Sequence, residues 1–312
     1  CYPSRAFCSS PKWRAAGRAP VTAAAHGPCY LRRVSLRKVM ASGAKVHPPS
    51  WLPESLCYET MMGSVAYGVS SESSDIDVYG ICIPPKEMVF PHLAGEIFGF
   101  GAQIKRFETW QEHHIASGDQ LWDFQIFGIV KFFQQAMENT PNVIDSIFTP
   151  KRCVLSRTPV GDYLREHRAD FLHRGSWHKF KGYAYSQLNK VKTTTPIGKR
   201  AELVEKYGYD VKFGYHAVRL LLEVEQILVT ADLDLERDSE QLKSIRRGEW
   251  PLAELERWVA DKEKAVEALY QTSALPYGPD EARIRAHLLH CLEMHYGDLS
   301  AVIGGPKTLP KS

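Results

Sequence analysis

The sequence predicts an α+β fold in which a small sheet domain is followed by a helical domain. Two observations support this order. Runs typical of strands are confined to residues 56–107, whereas apolar residues at helical spacing dominate after residue 157. The expected organisation is a disordered leader over residues 1–45, a sheet domain over residues 46–155, a helical domain over residues 156–300 and a flexible tail over residues 301–312.

The predicted elements follow one another along the chain. Strands are expected at residues 56–62, 75–83 and 97–107, because these runs are apolar or alternate between apolar and polar residues. A helix with a broad apolar face is expected over residues 126–137, and Pro141 suits the first turn of a second, shorter helix. The helices expected in the second half cover residues 161–173, 177–191, 209–228, 252–270 and 280–294.

Charge is unevenly distributed along the chain. The 39 Lys and Arg residues against 36 Asp and Glu residues give a formal net charge of +3. Residues 1–50 contain nine of the basic residues and no acidic residue, so residues 51–312 hold 30 basic and 36 acidic residues, a net charge of −6. A basic surface over the whole body is therefore not predicted, and only a local basic groove is left for nucleic acid.

The leader and the cysteines bear on the compartment. An Arg-rich, acid-free leader is typical of organellar transit peptides, but the first residue is Cys1 rather than Met, which equally suggests translated upstream sequence, with Met40 as a candidate start. The seven cysteines form no Cys-x-x-Cys pair, which favours a reducing compartment. No apolar run reaches the ~20 residues that span a bilayer. We expect a cytoplasmic protein without a membrane partner, and the leader leaves organellar transit open.

The most informative motif is Gly63-Ser64 followed by Asp75-Ile76-Asp77. Side chains alternate along a strand, so Asp75 and Asp77 point to the same face. Two adjacent carboxylates repel each other unless a cation lies between them, and oxygen ligands favour a hard ion such as Mg²⁺. The Gly63-Ser64 turn leaves backbone N–H groups and a hydroxyl for phosphate oxygens. The motif therefore predicts a site for a metal-bound nucleotide.

This motif resembles the signature of the DNA polymerase beta-like nucleotidyltransferase superfamily, in which a Gly-Ser turn precedes an Asp-x-Asp strand. Later segments, in the same order, resemble the subfamily associated with RNA-repair pathways. These segments are residues 132–148, Tyr209-Asp210-Val211-Lys212 with His216 and Arg219, residues 242–249, and Leu275-Pro276. The resemblance covers residues from about 56 to 299 and implies a polymerase-beta-like sheet domain followed by a helical domain.

The resemblance implies a Mg²⁺-dependent enzyme that transfers a nucleoside monophosphate from an NTP to an acceptor hydroxyl. Asp75 and Asp77 would hold a pair of Mg²⁺ ions. Ser64 would bind a β- or γ-phosphate oxygen, and Gly63 would let the backbone approach the phosphate. The acceptor is left open between an RNA 3′ end, a protein hydroxyl and a small molecule. The preferred NTP and the oligomeric state are also left open.

A third carboxylate on a neighbouring strand should complete the metal ion that activates the acceptor. We predict Asp123 for this role, because it precedes the long apolar helix at the place where the family has a strand-end acid. Its rivals are Asp119, Glu112 and Asp145. The alternative for Asp123 is a helix N-cap, a position that Asp commonly occupies.

Two groups of basic residues are candidates for binding phosphate. Lys212, His216 and Arg219 fall at i, i+4 and i+7 of one predicted helix, so they share a face that would neutralise the triphosphate, unless that face is merely solvated. The stripe of Lys181, Tyr185 and Lys192 suits either an RNA backbone or an ordinary amphipathic helix.

The histidines do not predict a zinc site. His113 and His114 are adjacent and diverge, and His287, His290 and His295 have no second ligand pair at a recognisable spacing.

Two other classes of function stay open at this point. A catalytically silent member of the same fold would bind nucleotide, RNA or a partner protein without turnover. A plain helical interaction module would carry the motif by chance. The intact Ser64, Asp75 and Asp77 favour the enzyme.

Overall fold

The computed structural model describes residues 35–70, 74–91, 98–99 and 104–298, and a mixed five-stranded sheet organises its first half. Its strands are β1 (Leu56–Met61), β2 (Ile76–Cys82), β3 (Thr109–Ser117), β4 (Gln120–Gly128) and β5 (Val154–Arg157). The strand order is β3-β4-β2-β1-β5. Strands β2 and β4 are parallel, and the other neighbours are antiparallel.

Helices flank the sheet and make up most of the second half. The helices in the described ranges are α1 (Leu36–Ala41), α2 (Gly63–Ala66), α3 (Lys86–Val89), α4 (Ile129–Met137), α5 (Pro141–Phe148), α6 (Pro159–Glu166), α7 (Ser176–Thr193), α8 (Lys199–Tyr207), α9 (Val211–Thr230), α10 (Ser239–Arg246), α11 (Leu252–Thr272) and α12 (Glu281–Tyr296). Together with the sheet they confirm the predicted α+β class. None of these helices combines the length and the apolar composition needed to cross a bilayer.

Strands β1 and β2, in the middle of the sheet, explain why one face of the sheet can carry a site. Every residue of β1 is buried, as expected for a strand covered on both faces. In β2, Ile76 and Val78 are buried, whereas Asp77 and Tyr79, which alternate with them along the strand, are only half-buried. One face of β2 therefore packs into the core, and the other presents polar side chains.

The predicted strands at residues 56–62 and 75–83 are confirmed as β1 and β2, but the prediction over residues 97–107 is wrong where the structure describes it. Residues 104–107 have no regular structure, and the next strand begins at Thr109. The helix predicted over residues 126–137 begins only at Ile129, because Ile126 belongs to β4. Ile126 and Phe127 at this junction are both apolar, so they fit the pattern of a buried strand as well as that of a helix.

The long helices predicted in the second half are confirmed as α7, α9, α11 and α12, and α5 follows Pro141 as expected. The helix predicted over residues 161–173 is divided, because α6 ends at Glu166 and a 3-10 turn covers Arg168–Phe171. Helices α8 and α10 were not predicted from the sequence. The domain boundary at residue 155 stays a prediction, and the predicted tail over residues 301–312 lies outside the described residues.

Helix α9 is the central element of the helical half. It packs against α7, α10 and α11, and most of its residues are buried. The Asp210 carboxylate caps its first turn by accepting hydrogen bonds from the backbone N–H groups of Lys212 and Phe213. This cap fixes where α9 begins and therefore where Lys212 is placed.

The end of the predicted disordered leader is ordered, so the prediction for residues 1–45 is wrong for that part. Leu36 and Val39 on α1 are fully buried. The backbone N–H of Leu36 donates to Glu59 Oε1 at 2.8 Å, and Glu59 lies on β1. The sequence hides this helix because its apolar face is formed by only two residues. Residues 1–34 lie outside the described residues.

Replacing Leu36 with Ala should lower the free energy of unfolding by about 2–5 kcal/mol, the usual cost of truncating a large buried side chain. Met40→Ala on the same helix is the matched control, since Met40 is 38% exposed and its loss should change stability by roughly 0.5 kcal/mol or less. Urea unfolding of both variants measures the difference. Equal stability of the two variants would show that α1 does not hold its place on the sheet.

Candidate active site

Three aspartates lie together on the polar face of the sheet. In the parallel pairing of β2 with β4, Asp77 is directly opposite Asp123, so both side chains project from the same face of neighbouring strands about 4.8 Å apart. Asp75 precedes β2 by one residue and lies two residues before Asp77, which places it on that face as well. Asp75 is exposed, and the other two are half-buried.

The start of α2 lies against Asp77. Gly63 has a φ of +61°, and a Cβ at this position would lie 2.0 Å from Asp77 Oδ2. The backbone N–H of Met62 donates to the carbonyl oxygen of Asp77 at 2.7 Å. Ser64 follows, and its hydroxyl makes no hydrogen bond to any residue that the structure describes. Glycine is therefore required here for two reasons, its backbone conformation and its contact with the carboxylate.

Replacing Gly63 with Ala should destabilise the fold more than backbone strain alone explains. Gly118, in the turn between β3 and β4, has nearly the same φ of +62° but nothing within 4 Å of its added Cβ, so Gly118→Ala is a matched control. Both variants should lose about 1–2 kcal/mol from the left-handed conformation. Gly63→Ala should lose a further ~1–3 kcal/mol from overpacking. Equal losses in urea unfolding would contradict the close approach to Asp77.

The environment of Asp77 disfavours the charged form of its carboxyl group. The pKa of Asp77 is raised to about 6, first by burial and then by the neighbouring carboxylate of Asp123, with a smaller effect from Asp75. Lys212 and His113 act in the opposite direction. The site therefore concentrates more negative charge than its own residues neutralise, and a bound cation would relieve the repulsion.

Two histidines on a bulge of β3 hold the Asp123 carboxylate. The pairing of β3 with β4 shifts its register between Glu112 and Ile115, and His114 adopts a φ of +58°. The backbone N–H of His114 donates to Asp123 Oδ1 at 2.7 Å. The ring nitrogen Nδ1 of His113 lies 3.4 Å from Asp123 Oδ2. The bulge thus orients Asp123, a role for His113 and His114 that the sequence did not reveal.

The placement of Asp123 decides between the alternatives drawn from the sequence. The N-cap alternative is wrong, because Asp123 lies inside β4 and Gly128 precedes α4. Glu112 pairs with Phe124 and so faces away from Asp123, and it binds His47 instead.

The two remaining rivals are also placed differently from Asp123. Asp145 is fully buried and accepts hydrogen bonds from Tyr67 and Arg219. Asp119 lies in the β3–β4 turn, about 13 Å along an extended strand from Asp123. The metal-binding role of Asp123 itself stays a prediction.

The N-terminal end of α9 lies near Asp77. Lys212 is exposed and close enough to Asp77 to lower its pKa. His216 lies one turn further along and is half-buried. Burial lowers the pKa of His216 well below its usual value, and the positive charges of Arg219, Lys212, Arg200 and Arg246 lower it further. His216 is therefore neutral at pH 7, in the middle of a group of cations.

Arg200 and Arg246 are site residues that the sequence analysis did not single out. Arg200 pairs with the capping residue Asp210, with 2.9 Å between Nη1 and Oδ2. Arg246 donates to the carbonyl oxygen of Val69 at 2.5 Å, which ties α10 to the loop after α2. The only sequence signal for Arg246 was its position in the family segment at residues 242–249. Cations from three helices thus surround His216.

The prediction that Arg219 binds the triphosphate is corrected. Arg219 is only 4% exposed, and its Nη1 donates to Asp145 Oδ2 at 2.6 Å and to Glu223 Oε1 at 3.2 Å. Its guanidinium also lies 4.1 Å from the ring centre of Tyr67. Two carboxylates already neutralise its charge. Arg219 therefore holds α9 against α5 and the segment after α2, which positions the Gly63-Ser64 turn.

The basic stripe on α7 is better explained by helix packing than by RNA. Lys181 Nζ lies 2.7 Å from Glu263 Oε1, and the Tyr185 hydroxyl donates to the other oxygen of Glu263 at 2.6 Å. Lys192 pairs with Glu256 at 2.8 Å. All three side chains of the stripe are engaged by acids of α11, so the stripe is an interhelical contact.

The donor set at the sheet fits Mg²⁺. The three aspartates offer only oxygen atoms, the ligands that Mg²⁺ prefers, and after burial the negative charges of Asp123 and Asp75 add to the rise in the pKa of Asp77.

Two kinds of comparison with known proteins found matches. The model of the RNA repair pathway DNA polymerase beta family matches residues 37–275. Among solved structures, a nucleotidyltransferase-like protein from Exiguobacterium sibiricum is similar at 10% sequence identity with a TM-score of 0.27, over 80% of this chain and 71% of that chain. No curated protein matches the chain.

Proposed function

The chain belongs to the RNA repair pathway DNA polymerase beta family, and from this premise we propose that it is a Mg²⁺-dependent nucleotidyltransferase. It would move a nucleoside monophosphate from an NTP to an acceptor hydroxyl. The observation that carries the proposal is the pairing of Asp77 with Asp123 on parallel strands, next to Asp75 and near Lys212 of α9. A catalytically silent protein that binds no metal would gain nothing from placing these carboxylates side by side, because their charges repel each other.

The residues have separate roles in the proposed reaction. Asp75 and Asp77 would hold the ion bound to the nucleotide, and Asp123 would complete the ion beside the acceptor. When bound, Mg²⁺ activates the attacking hydroxyl and stabilises the departing pyrophosphate. The Ser64 hydroxyl would donate to a β- or γ-phosphate oxygen, and the contact between Gly63 and Asp77 keeps the phosphate-binding turn next to the metal ligands.

The cations around His216 would bind the triphosphate. Lys212 is exposed, and its charge reaches Asp77, so it is the first candidate to contact a phosphate oxygen. Arg246 donates to Val69 and Arg200 pairs with Asp210. These two arginines would therefore supply positive potential around the phosphate without having to contact it directly. Such preorganised charge stabilises the negative charge that accumulates on pyrophosphate during transfer.

Binding of an NTP should raise the pKa of His216. The neighbouring cations help to keep this pKa low, and an anionic triphosphate placed among them would offset their effect. NMR titration of the histidine ring protons, with and without a non-hydrolysable Mg·NTP analogue, measures the change. His178, exposed on α7, is the internal control for effects that do not come from the site. An unchanged His216 in a saturated complex would place the triphosphate elsewhere.

The acceptor class can be found directly. The protein is incubated with Mg²⁺ and each α-labelled NTP in turn, first with RNA and then with a protein extract, and the labelled fraction is identified. The Asp75→Asn, Asp77→Asn double variant is the control and should transfer no label. Because the family is named for an RNA repair pathway, we propose RNA as the first acceptor to test. Label in neither fraction, with any of the four NTPs, would contradict the proposed activity.

A further inference from the structure

A second group of metal-binding side chains lies away from the sheet, where the end of α6 meets α12. His167 follows α6, Asp170 lies in the 3-10 turn Arg168–Phe171, and His287 lies on α12. His287 Nε2 is 2.9 Å from Asp170 Oδ2, and His167 Nδ1 is 3.7 Å from the same oxygen. The ligand atoms of the three residues all lie within 4.8 Å of one another. The two separations from Asp170 Oδ2 are short enough for its partners to share one ion with it at about 2.0–2.2 Å from each atom.

The surrounding contacts orient two of these ligands. The Tyr163 hydroxyl lies 2.6 Å from His287 Nδ1, so a proton on Nδ1 would leave the lone pair of Nε2 free for an ion. Arg283 Nη1 lies 2.9 Å from Asp170 Oδ1, which leaves Oδ2 towards the histidines. A second partner that fixes the ring and the tautomer of a ligating histidine is a regular feature of protein metal sites.

The exposure of the three side chains also suits an ion. The His287 side chain is 9% exposed, whereas those of Asp170 and His167 are 25% and 38% exposed. One ligand is thus anchored in the core, and the other two are open to solvent. An ion can reach the site without unfolding the helices.

We infer that His167 Nδ1, Asp170 Oδ2 and His287 Nε2 form a binding site for a transition-metal ion, with Zn²⁺ as the best match. Imidazole nitrogens favour Zn²⁺ over the hard ions Mg²⁺ and Ca²⁺. Two histidines and one carboxylate are an established zinc ligand set, in which a water molecule takes the fourth position. The ion would link the end of α6 to α12. Sequence spacing could not reveal this site, because Asp170 and His287 are 117 residues apart.

Zinc titration of the full chain, by calorimetry after removal of metal with a chelator, tests the inference. The Asp75→Asn, Asp77→Asn background removes binding at the sheet. We expect one Zn²⁺ per chain, and a loss of affinity of at least about 100-fold in His167→Asn. Tyr163→Phe should lose about 10- to 100-fold, because it removes only the partner of His287. His178→Asn is the matched control, an exposed histidine outside the cluster, and should bind zinc as the background does.

A second readout separates binding from folding. His167 is the most exposed ligand, so circular dichroism of His167→Asn should match the background, and saturating Zn²⁺ should raise the melting temperature of the background but not of this variant. Co²⁺ added to the background should give the visible absorption of a tetrahedral site, and the variant should lack it. Zinc binding of equal affinity in His167→Asn and the background would overturn the inference, as would no zinc binding at all. In either case the cluster is a hydrogen-bonded chain from Tyr163 through His287 to Asp170.

Discussion

Asp77→Asn should abolish nucleotidyl transfer and at the same time stabilise the fold. The variant removes a charged ligand from the centre of the three aspartates, so the metal-bound nucleotide cannot be held. It also removes a carboxylate that is ionised at neutral pH despite burial and despite the charges of Asp123 and Asp75. A residue that is both essential and destabilising is expected where function sets the local charge.

The size and sign of the stability gain follow from the pKa of Asp77. Its value in the folded protein is about 6, against an ordinary value of 3.8, so the unfolded chain holds its proton less tightly than the folded one. The ionised carboxylate therefore destabilises the fold above pH 6, by at most about 3 kcal/mol. This destabilisation disappears as the pH falls from about 6 towards 4. Asp77→Asn should be more stable than the natural chain at pH 8 and nearly equal to it at pH 4.

Urea unfolding at several pH values, with a chelator present, measures this difference. Asp75→Asn is the matched control, because Asp75 is exposed and its replacement should abolish transfer with little gain in stability. With Mg²⁺ and a non-hydrolysable NTP, the order should reverse, since only the natural chain is stabilised by the ligand. An Asp77→Asn variant that is less stable at pH 8 would mean that the carboxylate makes a favourable contact in the absence of metal.

The local part of the site was predictable from the sequence, and the long-range part was not. Asp75 and Asp77 share a face because strands alternate, which needs no knowledge of the rest of the chain. The bulge at His113 and His114 depends on how β3 pairs with β4, and register across a hairpin is not written in either strand alone. Arg219 shows the other limit. Helical spacing says which residues share a face but not that Asp145, 74 residues earlier, lies against it.

In the fold, too, elements with a local sequence pattern were predictable, and elements that depend on long-range contacts were not. Long helices such as α9 and α11 carry enough apolar residues at helical spacing to be found directly. Strand β3 buries only Ile115 among its nine residues, because it is the edge of the sheet, so its pattern is too polar to predict a strand. Helix α1 is found only through the contact of Leu36 with Glu59, which joins segments 23 residues apart.

Asp123→Asn should reduce transfer by at least about 100-fold while leaving binding of Mg·NTP almost unchanged. Asparagine keeps an oxygen for the backbone N–H of His114, so the bulge should persist, and only the charge at the acceptor side is lost. Loss of a metal ligand that acts on the attacking hydroxyl removes several kcal/mol of transition-state stabilisation, and each 1.36 kcal/mol is a factor of about ten in rate. Glu112→Gln is the matched control, since Glu112 lies on the same hairpin but faces away.

The same variant should also shift the pH dependence of nucleotide binding. Asp123 is the neighbouring charge that raises the pKa of Asp77 most, so its removal should lower that pKa and keep Asp77 ionised at more acid pH. In the natural chain, Mg·NTP affinity should fall as the pH drops below about 6, and in Asp123→Asn this fall should begin at lower pH. Affinity is measured by calorimetry with the non-hydrolysable analogue, and turnover by label transfer at saturating NTP. The variant could instead transfer at the natural rate, or lose affinity at the same pH as the natural chain. Either result would contradict a role for Asp123 in metal binding, and its contact with His114 would then be purely structural.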